Sequence, residues 1–149
     1  MRRKALFLDR DGTLIVDVGY PRDPARVEIL SGAVEALRGY SDYALVVISN
    51  QSGIARGLIT EDEWRAVHER FVELFANEGI TFAGSYYCKH GPDDGCACRK
   101  PEPGMLRQAA RELDLDLAQS IMIGDKPSDV EAGRRAGCAV SALLSWGPS

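Results

Sequence analysis

Short apolar runs that alternate with amphipathic stretches constrain this chain more than any other feature. The runs are Ala5–Leu8, Ala44–Ile48, Phe82–Tyr87, Ser120–Ile123 and Ala139–Leu144, each of strand length. Helical patterns lie between them. Ser31 can cap a helix that runs to about Tyr40. Thr60-Glu61-Asp62-Glu63 reads as a capping box, in which the Thr60 hydroxyl and the Glu63 carboxylate each satisfy a free backbone N–H. The helix it opens extends to Asn77, and Trp64, Val67, Phe71, Leu74 and Phe75 recur at helical spacing, as core positions do. Pro103 can start a third helix ending at Leu113, and a fourth covers Ser128 to Ala136, stopped by Gly137. Strands that alternate with helices predict an α/β fold: a parallel sheet covered on both faces.

In such a sheet, ligands bind outside the carboxyl ends of the strands. Asp9 and Asp11 follow the first run, and Ser49 and Asn50 the second. A cysteine-rich loop ending in Arg99-Lys100 follows the third, and Asp125 and Lys126 follow the fourth. Polar, reactive side chains therefore collect on one edge.

Length and charge narrow the function. At 149 residues the chain suits a single domain over residues 1–149. A net charge of -4 offers no footprint for nucleic acid or for an anionic membrane surface. No apolar run approaches the length of a membrane span. The run after Met1-Arg2-Arg3-Lys4 is too short for a signal peptide, so a cytoplasmic location is expected. A monomer acting on a small phosphorylated molecule is the expectation for partners.

Asp9-Arg10-Asp11-Gly12-Thr13 places two carboxylates two residues apart at a strand end. Such a pair can hold a divalent cation and divide two tasks, nucleophilic attack and proton transfer. An ordinary Asp/Gly turn has the same composition. Asp125 offers a further oxygen to a hard cation such as Mg²⁺. Asp129 is placed either to orient a ligand or a lysine, or simply to sit in a first helical turn favoured by the dipole. Lys100 can neutralise a phosphoryl group and Ser49 can donate to it. Together these residues supply the parts for phosphoryl transfer.

Asp9-x-Asp11-Gly12-Thr13, Ser49, Lys100 and Gly124-Asp125-x-x-x-Asp129 resemble the four-motif signature of the haloacid dehalogenase (HAD) superfamily, in matching order and over nearly the whole chain. The resemblance implies a Rossmann-like three-layer sandwich with Asp9 as nucleophile and Asp11 as acid, then base. It implies Mg²⁺ held by Asp9, the Asp11 carbonyl and Asp125. The second carboxylate marks phosphatases in this superfamily. The intervals between the motifs are too short for a separate cap domain, so an open site is expected.

Cys88-x-His90 and Cys96-x-Cys98 flank a short loop, and three cysteines with one histidine suit a closed tetrahedral Zn²⁺ site. The alternative is a set of free thiols beside a lone histidine. With no open position the zinc would be structural, and would position Arg99 and Lys100. Cys138 reads as a small buried hydrophobe. His68 has no partner in the motifs and reads as a surface or core-edge residue.

The zinc loop, with Ser49-Asn50-Gln51-Ser52-Gly53-Ile54-Ala55-Arg56-Gly57, resembles the D-glycero-D-manno-heptose 1,7-bisphosphate phosphatase group. That resemblance implies substrate contacts from Asp17, Val18, Gly19 and Tyr20, from Ser49, Asn50, Gln51 and Ser52, and from Arg99; Lys100 and Lys126 join them at the same edge. The histidinol-phosphate phosphatase domain shares the zinc loop and is the alternative. The chain departs from both in its short His90-to-Cys96 spacing. Arg99 can grip a second phosphate through its planar fork, or can merely brace the loop.

Overall fold

The computed structural model describes residues 2–91 and 93–143 and arranges five strands in one parallel sheet. The strands are β1 (Ala5–Leu8), β2 (Ala44–Asn50), β3 (Gly84–Cys88), β4 (Ile121–Gly124) and β5 (Val140–Leu143), in the order β3-β2-β1-β4-β5. The α-helices among the described residues are α1 (Ala33–Arg38), α2 (Glu61–Asn77), α3 (Gly104–Leu113) and α4 (Pro127–Ala136).

β1 is central and fully buried because both of its faces are covered. Successive side chains point to opposite faces of a strand. Ala5 and Phe7 accordingly join a core with Met105, Leu106 and Ala109 of α3 and Ala132 of α4. Leu6 and Leu8 join the other core, with Phe71 and Phe75 of α2 and Leu37 of α1. The result is the three-layer α/β architecture expected from the alternation of runs and helices. Among the described residues, no connection adds a second sheet, and no helix is long and apolar enough to cross a membrane.

Several boundaries differ from the sequence expectation. β2 continues past Ile48 to Asn50 because Ser49 and Asn50 still pair with Tyr87 and Cys88 of β3. β3 begins at Gly84 rather than Phe82; the Phe82 ring instead packs on Phe71 and Phe75. α1 is capped by Gly32 at φ 88°, not by Ser31, and ends at Arg38. α4 starts at Pro127, whose fixed φ suits a first helical position. The Thr60–Glu63 capping box forms in both directions. Of the α2 positions read as core, Val67, Phe71 and Phe75 are buried, whereas Trp64 and Leu74 lie at its rim. The last position of the fifth predicted strand, Leu144, lies outside the described residues. Cys138 packs on the first core, and burial pushes its thiol up to about 11.

Candidate active site

The register of the central strands brings the motifs together. Leu8 pairs in parallel with Val47 on one side and Ile123 on the other, so the carboxyl ends of β1, β2 and β4 share one edge of the sheet. The Asp9 N–H still donates to Ile123 O at 3.1 Å, which fixes Asp9 at the sheet edge. Gly12 adopts φ 85°, and a Cβ there would stand 2.3 Å from Asp125 Oδ2. Gly124 is equally constrained: its Cβ would meet Asp129 Oδ2 at 2.2 Å. Both glycines exist so that backbone can approach a carboxylate.

Lys100 occupies the centre. Its Nζ donates to Asp9 Oδ1 at 2.9 Å, to Ile48 O at 2.9 Å and to Asp129 Oδ1 at 2.5 Å. The side chains of all three charged residues are at most 9% exposed. Burial opposes the charge on Lys100, but Asp9 and Asp129 outweigh it and hold its pKa above the ordinary lysine value. The lysine backbone is fixed as well: Asn50 Oδ1 accepts from Lys100 N–H at 2.9 Å, and Asn50 Nδ2 donates to Lys100 O at 3.2 Å. Asp129 also accepts from the Lys126 N–H at 3.0 Å, so it both orients Lys100 and caps α4.

Carboxylate oxygens of Asp9, Asp125 and Asp129 lie within 4.8 Å of one another. Burial and the neighbouring Asp9 raise the Asp125 carboxyl to about 6. An oxygen-rich cluster of this kind fits a hard cation. The Asp11 carboxylate is held apart from it. Gln51 Nε2 donates to Asp11 Oδ2 at 2.7 Å, and Arg10 reaches the same carboxylate through Nε at 3.3 Å and Nη2 at 3.2 Å.

A cavity of about 470 Å³ opens above these groups. Asp9 and Asp11 line it, with Asp17, Gly19, Tyr20, Asn50, Gln51, Ser52, Arg99, Lys100, Lys126 and Asp129. Two candidate substrate contacts are not in its wall. Ser49 is 1% exposed and its Oγ accepts from Gln51 Nε2 at 2.8 Å, so it supports the wall from beneath. Val18 is exposed and lines a neighbouring depression with Ile15 and Pro21, with Tyr20 between the two. Arg56 also lines the cavity and had no role assigned from sequence; its only signal was its place in the Ile-Ala-Arg-Gly run. Arg99 faces the cavity while its Nη1 donates to His90 O at 3.4 Å, so it braces the loop too.

Beside the cavity, Cys88, His90, Cys96 and Cys98 converge with ligand atoms within 4.8 Å. Cys88 Sγ lies 3.5 Å from both His90 Nδ1 and Cys96 Sγ. Cys98 Sγ lies 3.2 Å from His90 Nδ1 and 3.5 Å from Cys96 Sγ. Sulfur separations of this size exclude disulfides, whose S–S bond is about 2.0 Å. They approach the edges of a tetrahedron about a metal with Zn–S near ~2.3 Å.

Comparison with known proteins agrees with this architecture. Residues 97–145 match a family model described as HAD-hydrolase-like. The D-glycero-β-D-manno-heptose-1,7-bisphosphate 7-phosphatase of Yersinia pestis is 41% identical over 152 residues, covering 96% of this chain and 81% of that protein. The Helicobacter pylori (strain ATCC 700392 / 26695) protein of the same name is 43% identical over 148 residues, covering 97% of this chain and 86% of that protein. The crystal structure of the B. bronchiseptica D,D-heptose 1,7-bisphosphate phosphatase, complexed with magnesium and phosphate, superposes with a TM-score of 0.84. It shares 40% identity and covers 92% of this chain and 78% of that one. By fold, motif geometry and kinship, the chain belongs to the HAD-type heptose-1,7-bisphosphate 7-phosphatase family.

Proposed function

We propose that this chain is a Mg²⁺-dependent phosphatase that hydrolyses the 7-phosphate of D-glycero-β-D-manno-heptose 1,7-bisphosphate and leaves the 1-phosphate. The observation that carries it is the buried Lys100, bonded at once to Asp9 and Asp129 beneath a cavity lined by Asp11, Arg99 and Lys126. The names and coverage of the relatives point to the substrate.

The chemistry divides among this chain's own residues. A carboxylate oxygen of Asp9 attacks phosphorus and forms an aspartyl-phosphate as the bond to the sugar oxygen breaks. Asp11 gives its proton to that oxygen, then takes one from the water that attacks the aspartyl-phosphate, releasing inorganic phosphate and restoring Asp9. Lys100 stays charged and neutralises the phosphoryl oxygens. Asp9, Asp125 and the Asp11 carbonyl would hold Mg²⁺, which supplies further neutralisation of charge on the phosphoryl group. Asp129 keeps Lys100 in place. Asp17, Gly19, Tyr20, Asn50, Gln51 and Ser52 shape the wall against the sugar, and Arg99 and Lys126 offer charge to the phosphate that does not react.

Cys88, His90, Cys96 and Cys98 would hold a structural Zn²⁺, leaving no position open for catalysis. Free thiols of this kind suit the reducing cytoplasm.

A panel of substrates assayed by phosphate release tests the reading. It should contain both anomers of the heptose bisphosphate, the heptose 7-phosphate and histidinol phosphate. The β-anomer of the bisphosphate should give the highest kcat/KM. A preference for histidinol phosphate would overturn the assignment.

A further inference from the structure

Arg10 is the variable residue of the Asp9-x-Asp11 motif, and the chemistry above gives it no task. Its side chain is nevertheless 0% exposed and heads the largest fully buried side chains. Lysine and arginine are almost never buried without a reason in the fold or the site. The fold does not supply one. The turn after β1 is closed by the Arg10 backbone, whose carbonyl accepts from Thr13, Leu14 and Ile15 at 3.3, 2.8 and 3.1 Å. Any residue supplies that carbonyl.

The guanidinium faces the site instead. Nε and Nη2 both reach the Asp11 carboxylate, at 3.2 to 3.4 Å. The group is clamped from behind: its central carbon stands 5.4 Å from the Tyr87 ring centre and 6.0 Å from that of Phe71. The Tyr87 hydroxyl is fixed in turn by His68 Nδ1 at 2.7 Å, and the His68 ring stacks on Trp64. Tyr87 comes from β3 and the other three from α2. A planar, always-charged fork held between rings cannot swing, so neither can the carboxylate that it grips.

We propose that Arg10 is a positioning residue for proton transfer: with Gln51 it locks the Asp11 carboxylate in one orientation toward the leaving-group oxygen. The inference rests on the reading of Asp11 as acid and base. Arg10 neither touches substrate nor moves a proton. It removes the rotational freedom that Asp11 would otherwise have to lose during the reaction, which is the entropic part of general acid catalysis. His68, which the motifs left without a partner, becomes the outer end of the clamp.

The test compares kcat/KM on two substrates, the sugar bisphosphate with its poor leaving group and an activated aryl phosphate that departs without a proton. This constant covers events up to the first phosphoryl transfer, where only the sugar needs the acid. Asp11→Asn is the benchmark and should lose far more on the sugar than on the aryl phosphate. Arg10→Met should copy that pattern at smaller size, losing roughly tenfold to a hundredfold on the sugar and less than about threefold on the aryl phosphate. Arg10→Lys keeps the charge without the fork. It should show the same selective loss, and it replaces the Met variant if that one does not fold. Equal losses on both substrates in folded Arg10 variants, while Asp11→Asn remains selective, overturn the proposal and leave a structural arginine. Loss of selectivity in Asp11→Asn itself overturns the reading of Asp11 beneath it, and the proposal with it.

Discussion

The carboxylate–lysine cluster draws Asp9, Lys100, Asp125 and Asp129 from the segments that follow β1, β3 and β4, whereas the thiol–imidazole cluster draws all four members from residues 88–98. The first is held by the protein itself. Asp9, Lys100 and Asp129 are buried, with Asp125 at their more open side; Lys100 pairs with two carboxylates, and glycines at 12 and 124 let them close in. In the second, only Cys88 is buried, and His90 is exposed. Cys88, Cys96 and Cys98 pack on the edge of the first core, but the stretch between His90 and Cys96, Gly91-Pro92-Asp93-Asp94-Gly95, carries little apolar surface. A scaffold of packed strands can hold charges in place before a ligand arrives. A short polar loop meets the core only through its cysteines, and a metal held by them would fix the rest. Arg99 and Lys100 join the two regions, directly after the last cysteine.

Asp9→Asn is expected to make the comparison sharpest. The amide cannot attack phosphorus, so turnover should fall by roughly 10⁴-fold or more. Zinc content should stay near wild type, because the second cluster does not depend on the first. Near-normal activity in the folded variant removes Asp9 as nucleophile.

Asp11→Asn should cost roughly 10²–10⁴-fold in kcat/KM on the sugar phosphate, the scale of general acid catalysis. Rapid mixing with an activated aryl phosphate should then show a burst of leaving group, since the aspartyl-phosphate forms but lacks its base. A steady rate without a burst argues against a second role in hydrolysis.

Cys96→Ser attacks the other region. Elemental analysis should find about one zinc per chain in the wild type and much less in the variant. The loop should loosen, and with Lys100 displaced kcat/KM should fall about tenfold to a hundredfold. Dialysis against a chelator should strip Mg²⁺ and stop wild-type turnover reversibly while zinc stays bound. Wild-type protein purified without chelators and free of zinc breaks the comparison.

Arg99→Ala tests the junction. Loss of one charged contact should lower the ratio of kcat/KM for the bisphosphate over a monophosphate by roughly tenfold. An unchanged ratio with zinc retained leaves Arg99 only its bond to His90 O.

The smallest effect concerns His68. Burial and the nearby Arg10 depress its pKa, against a weaker opposing pull from Glu69, and Lys89 and the Tyr87 hydroxyl complete its surroundings. The unfolded chain then binds the proton more readily than the folded one. Stability should be full above the ordinary histidine range near ~6.5 and fall as pH drops through it. Denaturant midpoints measured across that range should lose this slope in His68→Gln. A slope that survives the substitution assigns it to another group.

Much of the molecule was legible without coordinates, and the reason is local. Strand-length apolar runs, the Thr60 capping box and Gly137 act within a few residues, so the α/β order followed from short-range chemistry. Reading strand ends as a shared edge was enough to gather Asp9, Ser49, Lys100 and Asp125, because parallel strands all end on one side. The paired Cys/His spacing was equally local.

What the tertiary structure alone decided depends on which way side chains point. It turned Val18 away from the cavity, put Ser49 beneath Gln51 and added Arg56 to the wall. It also set Arg10 between Tyr87 and Phe71. No spacing rule links residue 10 to residues 71 and 87, since α2 and β3 reach that arginine only once the sheet has formed. Pattern along the chain reports which face a residue takes within its own element. The partner on that face is chosen by packing among elements far apart in sequence, and for this protein that choice separates a motif's spacer from the clamp on its second carboxylate.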